Sequence, residues 1–420
     1  MKNIQLTALA LLLLTLSSAS GEPTRTNLNP ALIYYQAMLM APKKSMSDAD
    51  WDYLGSAAGR EQKLPERFGP ILANYDSQFK LVRAAARQKV ACDWGIDMSP
   101  GPGTMLPHLA PIKAVSQAAQ IRAIWDLQQG NQAAAREDLL AAFVLGRNAA
   151  RDGTLIGTLV QQAVEAILYA TVAGNFGQFT PETLQELAAG FEAAPARGLV
   201  TAAIRTEQSN HVAWVTGKIQ ELQRQNPDND AQVLAAIRAD ELLQSFEFNG
   251  DEGKPDTNFW PRVFTAAGGT SDGILKLVRD TQPLYERIIK LLTLPQPEFD
   301  AQVQPVAAEV KASQNPFVQA LAPDPLRIRT REFKIEAWQA MVRAAVEYKL
   351  HGEAGFKRVL DPFGHGPFML ERFVFAGVDR GFELKSAYAG LKYPCALIFV
   401  EKTGPAFRTD GPYIGQAIKP

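Results

Sequence analysis

"AIWDLQQGNQAAAREDLLAAFVLGR", residues 123–147, holds two helical stretches around one glycine. Gly130 lacks a Cβ and lets the backbone reverse tightly. Leu127 on one side and the small residues Ala133 and Ala142 on the other allow two helices to approach closely. The spacing predicts a helical hairpin, with helices over 111–129 and 131–151.

The same signals extend outward along the chain. Asn29 and Pro30 form an N-cap and first helical position, and Pro42 ends that helix. Ser47 with Asp50 is a variant capping box. Ile71, Leu72, Tyr75, Phe79 and Val82 recur at helical spacing and predict one long helix over 70–90. Residues 92–111, rich in proline and glycine, predict an irregular loop. Helices follow over 153–174, from the cap Thr180, over 197–226 and 229–247. A polar linker at 248–261 precedes helices over 272–293, 298–313 and 325–351. After Gly352 the chain turns rich in Phe, Val and Ile in short runs bounded by glycine, which predicts three or four antiparallel strands with a hairpin turn at 377–381. The expected fold is mainly α: stacked antiparallel helical hairpins, α-solenoid-like, carrying a small C-terminal antiparallel β element. The expected division is a signal peptide at 1–20, a helical domain at 21–352 and a β-rich element at 353–420.

Lys2, the apolar run Leu6–Leu16 and the small residues Ser17–Gly21 have the order of a secretory signal peptide. Cleavage after Ser20 or Gly21 is expected, leaving a chain without a transmembrane segment, in the periplasm or outside the cell. The 420 residues include 43 basic and 44 acidic ones, so charge makes no case for nucleic acid. Apolar residues make up 46%, enough for a large core. Cys92 and Cys395 are open to two readings in an oxidising compartment: a disulfide, or two buried thiols.

The common catalytic and nucleotide-binding signatures, and the paired-cysteine or HExxH metal patterns, do not occur. No metal and no cofactor are expected. Three weaker constellations remain. Glu207 and His211 stand four apart on one helix with Arg205 nearby, a spacing that suits an acid–base pair or equally an ordinary surface pair. Glu165 lies within the apolar run "LIGTLVQQAVEAILYATVAG", where it is either a primed carboxyl or the partner of an arginine such as Arg122 or Arg147. Asp93 and Asp97 flank Trp94 in the irregular loop, as a binding cleft would require or as a packed tryptophan between capped turns. The basic run Arg327, Arg329, Arg331 and Lys334 spreads around a helix and reads as a solvated face.

Residues 123–147 resemble the helix-turn-helix unit of tetratricopeptide repeats. A second Gly-Asn pair, Gly174-Asn175, follows 44 residues after Gly130-Asn131, off the repeat's period of roughly 34. The resemblance therefore implies stacked hairpins and no named repeat. Residues 337–386, with "DPFGHGPF" at 361–368 and "GFELKS" at 381–386, resemble the C-terminal segment of type II secretion pseudopilins and of many exported bacterial proteins. There a turn of this kind leads into a strand pair. The resemblance implies a local β-hairpin module and no activity. Pseudopilins keep an anchoring N-terminal helix, whereas this chain has a cleavable leader. The acids that hold calcium in some of them are missing after Ser386.

Within "DPFGHGPF", Pro362 ends the preceding helix and Gly364 and Gly366 are expected to take positive φ. His365 is expected at an exposed tip, and Gly366→Val is expected to damage folding. The functional expectation is an exported binding or scaffold protein whose helical groove takes a protein or peptide partner. The alternative is an exported hydrolase-like enzyme built on Glu165, Glu207, His211 or the Asp93–Asp97 loop. A purely structural part of an envelope assembly is a third.

Overall fold

Asn29 accepts the amide of Ala31 and opens α1 (Pro30–Leu39), as its place before Pro30 predicts. The computed structural model describes residues 27–43, 46–56, 63–244, 256–390, 394–402, 404 and 407. The leader at 1–20 and most of the linker at 248–261 lie outside the described residues. Ser47 and Asp50 complete the expected capping box of α2 (Asp48–Gly55).

The single helix expected over 70–90 is two helices, α3 (Phe68–Ala73) and α4 (Asp76–Ala86). Their apolar positions stay in phase across Asn74 and Tyr75, so periodicity alone runs through the break. The central hairpin is as expected: α5 (Leu109–Gln128) and α6 (Gln132–Ala149) reverse at Gly130, which has φ of 80°. The chain turns again into α7 (Leu155–Gly174) and then α8 (Pro181–Ala193), capped by Thr180. α7 packs against α5, α6 and the sheet described below. It is long and apolar enough to cross a membrane, but over half of its apolar stretch is buried among these neighbours.

A long helix α9 (Val200–Gln225) leads to α10 (Asp230–Ala239) and a single turn α11 (Glu241–Gln244). Next come α12 (Phe259–Ala266), α13 (Ser271–Arg279) and α14 (Gln282–Leu292). The helix expected over 272–293 thus divides in two. Pro283 has no amide hydrogen and its ring opposes a carbonyl of the preceding turn, so it is best placed in the first turn of a helix, where it stands in α14. The helical body ends with α15 (Gln296–Ala312), α16 (Pro316–Leu321) and the long α17 (Pro325–Phe356). Gly352 kinks α17 near its end, with φ of 60° and ψ of −152°. α17 returns across α7 and α8, which joins the end of the helical body to its middle.

Three strands follow, β1 (Met369–Phe375), β2 (Val378–Lys385) and β3 (Ala396–Val400), in an antiparallel sheet of order β1-β2-β3. The first hairpin turns at Ala376 and Gly377, both at positive φ, with Phe375 paired to Val378. Two positive-φ residues make a tight primed turn. The turn expected at 377–381 is therefore corrected by a few residues, and Val378 onward is strand. β3 is buried against α7, α17 and the short turn at Phe176–Gln178.

Asp361 organises "DPFGHGPF". Its carboxylate accepts the Ser386 hydroxyl at 2.8 Å and the Ala387 amide at 2.6 Å, and its amide donates to the Gly366 carbonyl. Phe368 is buried, Phe363 packs on Phe333 and Tyr388, and His365 is exposed. Neither Gly364 nor Gly366 takes a positive φ. A Cβ on Gly366 would meet nothing within 4 Å, so the damage expected of Gly366→Val has no steric origin here.

The main core runs through α1, α4–α8, α14, α15, α17 and the sheet. A second core lies under the C-terminal half of α9, where Ile219, Ile237, Trp260, Ile274 and Phe317 meet. Cys92 and Cys395 are both buried free thiols, the second of the two open readings.

Candidate functional site

α7 carries Glu165 into the main core, where it is fully buried. An isolated buried carboxylate is strongly disfavoured, and two guanidinium groups meet this one. Arg147 of α6 places Nε 2.9 Å from Oε1, and Arg197, ahead of α9, places Nη2 2.6 Å from Oε2. Of the two partners expected, Arg147 is present and Arg122 is not. Arg122 instead donates to Asp138 at 2.7 Å and Asp76 at 2.8 Å. Arg197 was not anticipated: the helix expected over 197–226 begins only at Val200, so Arg197 lies in the non-helical stretch before it, free to turn toward α7.

Arg197 also donates to the Gln339 side chain of α17 at 3.0 Å, carrying the network to the surface. Gln339 lines a groove between α8, α17 and the segment leading to Pro362, with a cavity of about 290 Å³. Phe191 of α8 forms its floor and stacks into a buried aromatic group, 4.5 Å from Phe143 and edge-on to Tyr169 at 5.4 Å. Val342 and Val359 add apolar wall, and Leu360 stands exposed at the rim. Arg343 and Arg358 provide positive charge, and Glu192 and Glu336 negative.

Glu207 and His211 share a face of α9, as their spacing requires, and both are half-buried. Glu207 Oε1 accepts the Leu155 amide at 2.7 Å, satisfying one of the free N–H groups that begin α7. Burial raises its carboxyl above the usual range, the Leu155 amide works against that, and nearby Asp152 adds to it. Burial lowers the His211 imidazole. No hydrogen bond joins the two side chains.

The loop at 92–111 separates its three candidates. Asp93 accepts the Gly95 amide and Asp97 the Ser99 amide and hydroxyl, so each exposed carboxylate closes its own short turn. Trp94 points inward and donates to the Asn148 carbonyl at 2.7 Å. Its ring stacks on His108 at 4.5 Å and on Tyr34 at 5.8 Å. His108, fully buried, has Nε2 3.1 Å from Asp152, whose other oxygen accepts the Thr154 amide and hydroxyl. This dyad went unrecognised in the sequence because its members stand 44 residues apart, and Asp152 reads there as one more acid at a helix start.

Chemistry at a carboxylate or imidazole needs a lone pair or proton that a substrate can reach. Both oxygens of Glu165 are engaged by guanidinium groups, Glu207 caps a helix, and the His108–Asp152 pair is enclosed beneath Trp94. Among the described residues no three of His, Cys, Asp or Glu converge as a metal site. Among the described residues, a shallow, mostly polar opening lies between Arg205–Ser209 of α9 and Gln282–Thr293 of α14, and a groove with an aromatic floor lies between α8 and α17. No protein-family model matches the chain, and neither does any curated protein or solved structure.

Proposed function

We propose that this chain is an exported binding protein that holds a peptide segment of a partner in the groove between α8 and α17. The groove itself carries the reading. It has an aromatic floor, apolar walls and a few charged groups, the composition suited to an extended peptide or a small ligand. Its walls come from two packed helices, and the Glu165–Arg197–Gln339 network braces one of them from behind. A rigid wall lowers the ordering cost of binding. The hydrolase alternative gains no such support, because its candidate carboxylates are engaged in separate structural roles.

The test is a screen of short synthetic peptides against the mature protein and against Ala340→Trp, which fills the groove from α17. Ala340 lines the groove and is only partly buried, so the added ring is directed into the groove, and circular dichroism checks that the variant folds. Peptides should bind the wild-type protein and lose at least tenfold in affinity for the plugged variant, with unchanged circular dichroism. Binding indifferent to the plug, or no binding at all, would overturn the proposal. Export predicts a secreted chain whose N-terminus, read by mass spectrometry, is Gly21 or Glu22.

A further inference from the structure

We infer that the groove selects the free C-terminal carboxylate of a peptide that ends in an apolar residue; this rests on the groove being the binding site. Glu336, Ala340 and Arg343 stand at i, i+4 and i+7 on α17 and form one stripe along the groove. Seven residues of helix put the acidic end about 10 Å from the basic end. Arg358 lines the same groove from the segment after α17 and brings a second guanidinium.

Both guanidinium groups are largely exposed and each is lightly held. Arg343 reaches Glu192 at 3.5 Å through Nε, and Arg358 reaches Glu347 at 2.8 Å through Nη2. Exposed pairs of this kind contribute little and exchange readily. A guanidinium presents five N–H donors in a planar fork suited to a carboxylate, so each retains donors beyond its present contact.

Orientation follows from the other two features. A carboxylate at the far end would meet Glu336, and repulsion there directs it toward Arg343 and Arg358. The apolar surface of Val342, Val359 and Leu360 adjoins the arginines, where the last side chain of the peptide would lie. The 290 Å³ cavity has room for one large side chain and its terminus rather than for a folded domain. An internal peptide segment lacks the terminal charge and would leave the arginines with their glutamates.

The experiment uses N-terminally fluorescein-labelled pentapeptides and the mature protein, read by fluorescence anisotropy. One peptide ends in Leu with a free carboxylate, a second in Leu-amide and a third in Asp with a free carboxylate. The Leu acid should bind at least tenfold more tightly than the Leu amide and than the Asp peptide. The acid–amide difference should shrink as salt rises. It should also disappear in the double variant Arg343→Gln/Arg358→Gln. Equal binding of acid and amide, with both lost in Ala340→Trp, would overturn carboxylate selection and leave the groove reading standing. A difference that survives the double variant would overturn the assignment to these arginines. Absence of binding by every peptide would overturn both readings.

Discussion

Glu165 shows how one acidic residue is accommodated in an apolar helix. The fully buried carboxylate is held by Arg147 and Arg197 from two other segments of the chain. Glu165→Gln keeps the shape and removes the charge, leaving two guanidinium groups without their anion. We expect a loss of about 3–5 kcal/mol in a denaturant titration. Glu207 behaves differently, because burial raises its carboxyl. The folded chain then keeps its proton to higher pH than the unfolded chain does. Stability accordingly falls as pH rises from the unfolded value to the folded one. Glu207→Gln still offers an oxygen to the Leu155 amide and removes that loss. Its melting temperature should equal or exceed the wild-type value at pH 7 and lose the advantage near pH 4. His211 has the opposite sign. Its lowered imidazole means the unfolded chain binds the proton first, so stability is lost as pH drops below about 6.5. His211→Gln should flatten that acid limb when melting temperature is followed against pH.

At the scale of elements, two backbone positions hold conformations that their residues accept unequally. Ala376 takes φ of 49° in the β1–β2 turn, where a Cβ is unfavourable and Asn is tolerated. Ala376→Asn should stabilise the protein by about 0.5–1 kcal/mol, visible as a rise in melting temperature. Gly352 at the kink of α17 adopts φ and ψ open almost only to glycine, and Gly352→Ala should cost about 1–3 kcal/mol although the space around it is empty. Caps and proline positions made α1, α2, α8 and the start of α17 legible in the sequence, and the glycine reversal at Gly130 did so for α5 and α6. The breaks at Asn74–Tyr75 and Thr281 were not, because apolar periodicity continues through both. Ala376 hid the first hairpin turn, since alanine is not a residue that marks positive φ.

On the scale of the whole molecule, what the sequence conceals is what long-range packing creates. Phe191 and Arg343 face one groove across about 150 residues, and neither stands out in its own helix. Glu165 was identifiable as a buried acid, yet its link through Arg197 and Gln339 to that groove depends on the return of α17. The two larger cores also imply uneven stability. The smaller one, around Trp260, joins the larger through α9 and neighbouring segments. Amides of α10, α12 and α13 should exchange hydrogen faster than those of α5–α7, as a separate cooperative step. A single uniform exchange class across both regions would contradict this.

The stack of Trp94 on His108 also provides an optical handle. An indole pressed against an imidazole and shielded from water emits differently from one released to solvent. Both rings belong to the 92–111 loop, which is tied to the helical body through Trp94 to the Asn148 carbonyl and His108 to Asp152, so loosening that loop would expose the indole. Trp94 emission, compared with that of Trp94→Phe, would then report whether the loop stays closed while a peptide occupies the distant groove.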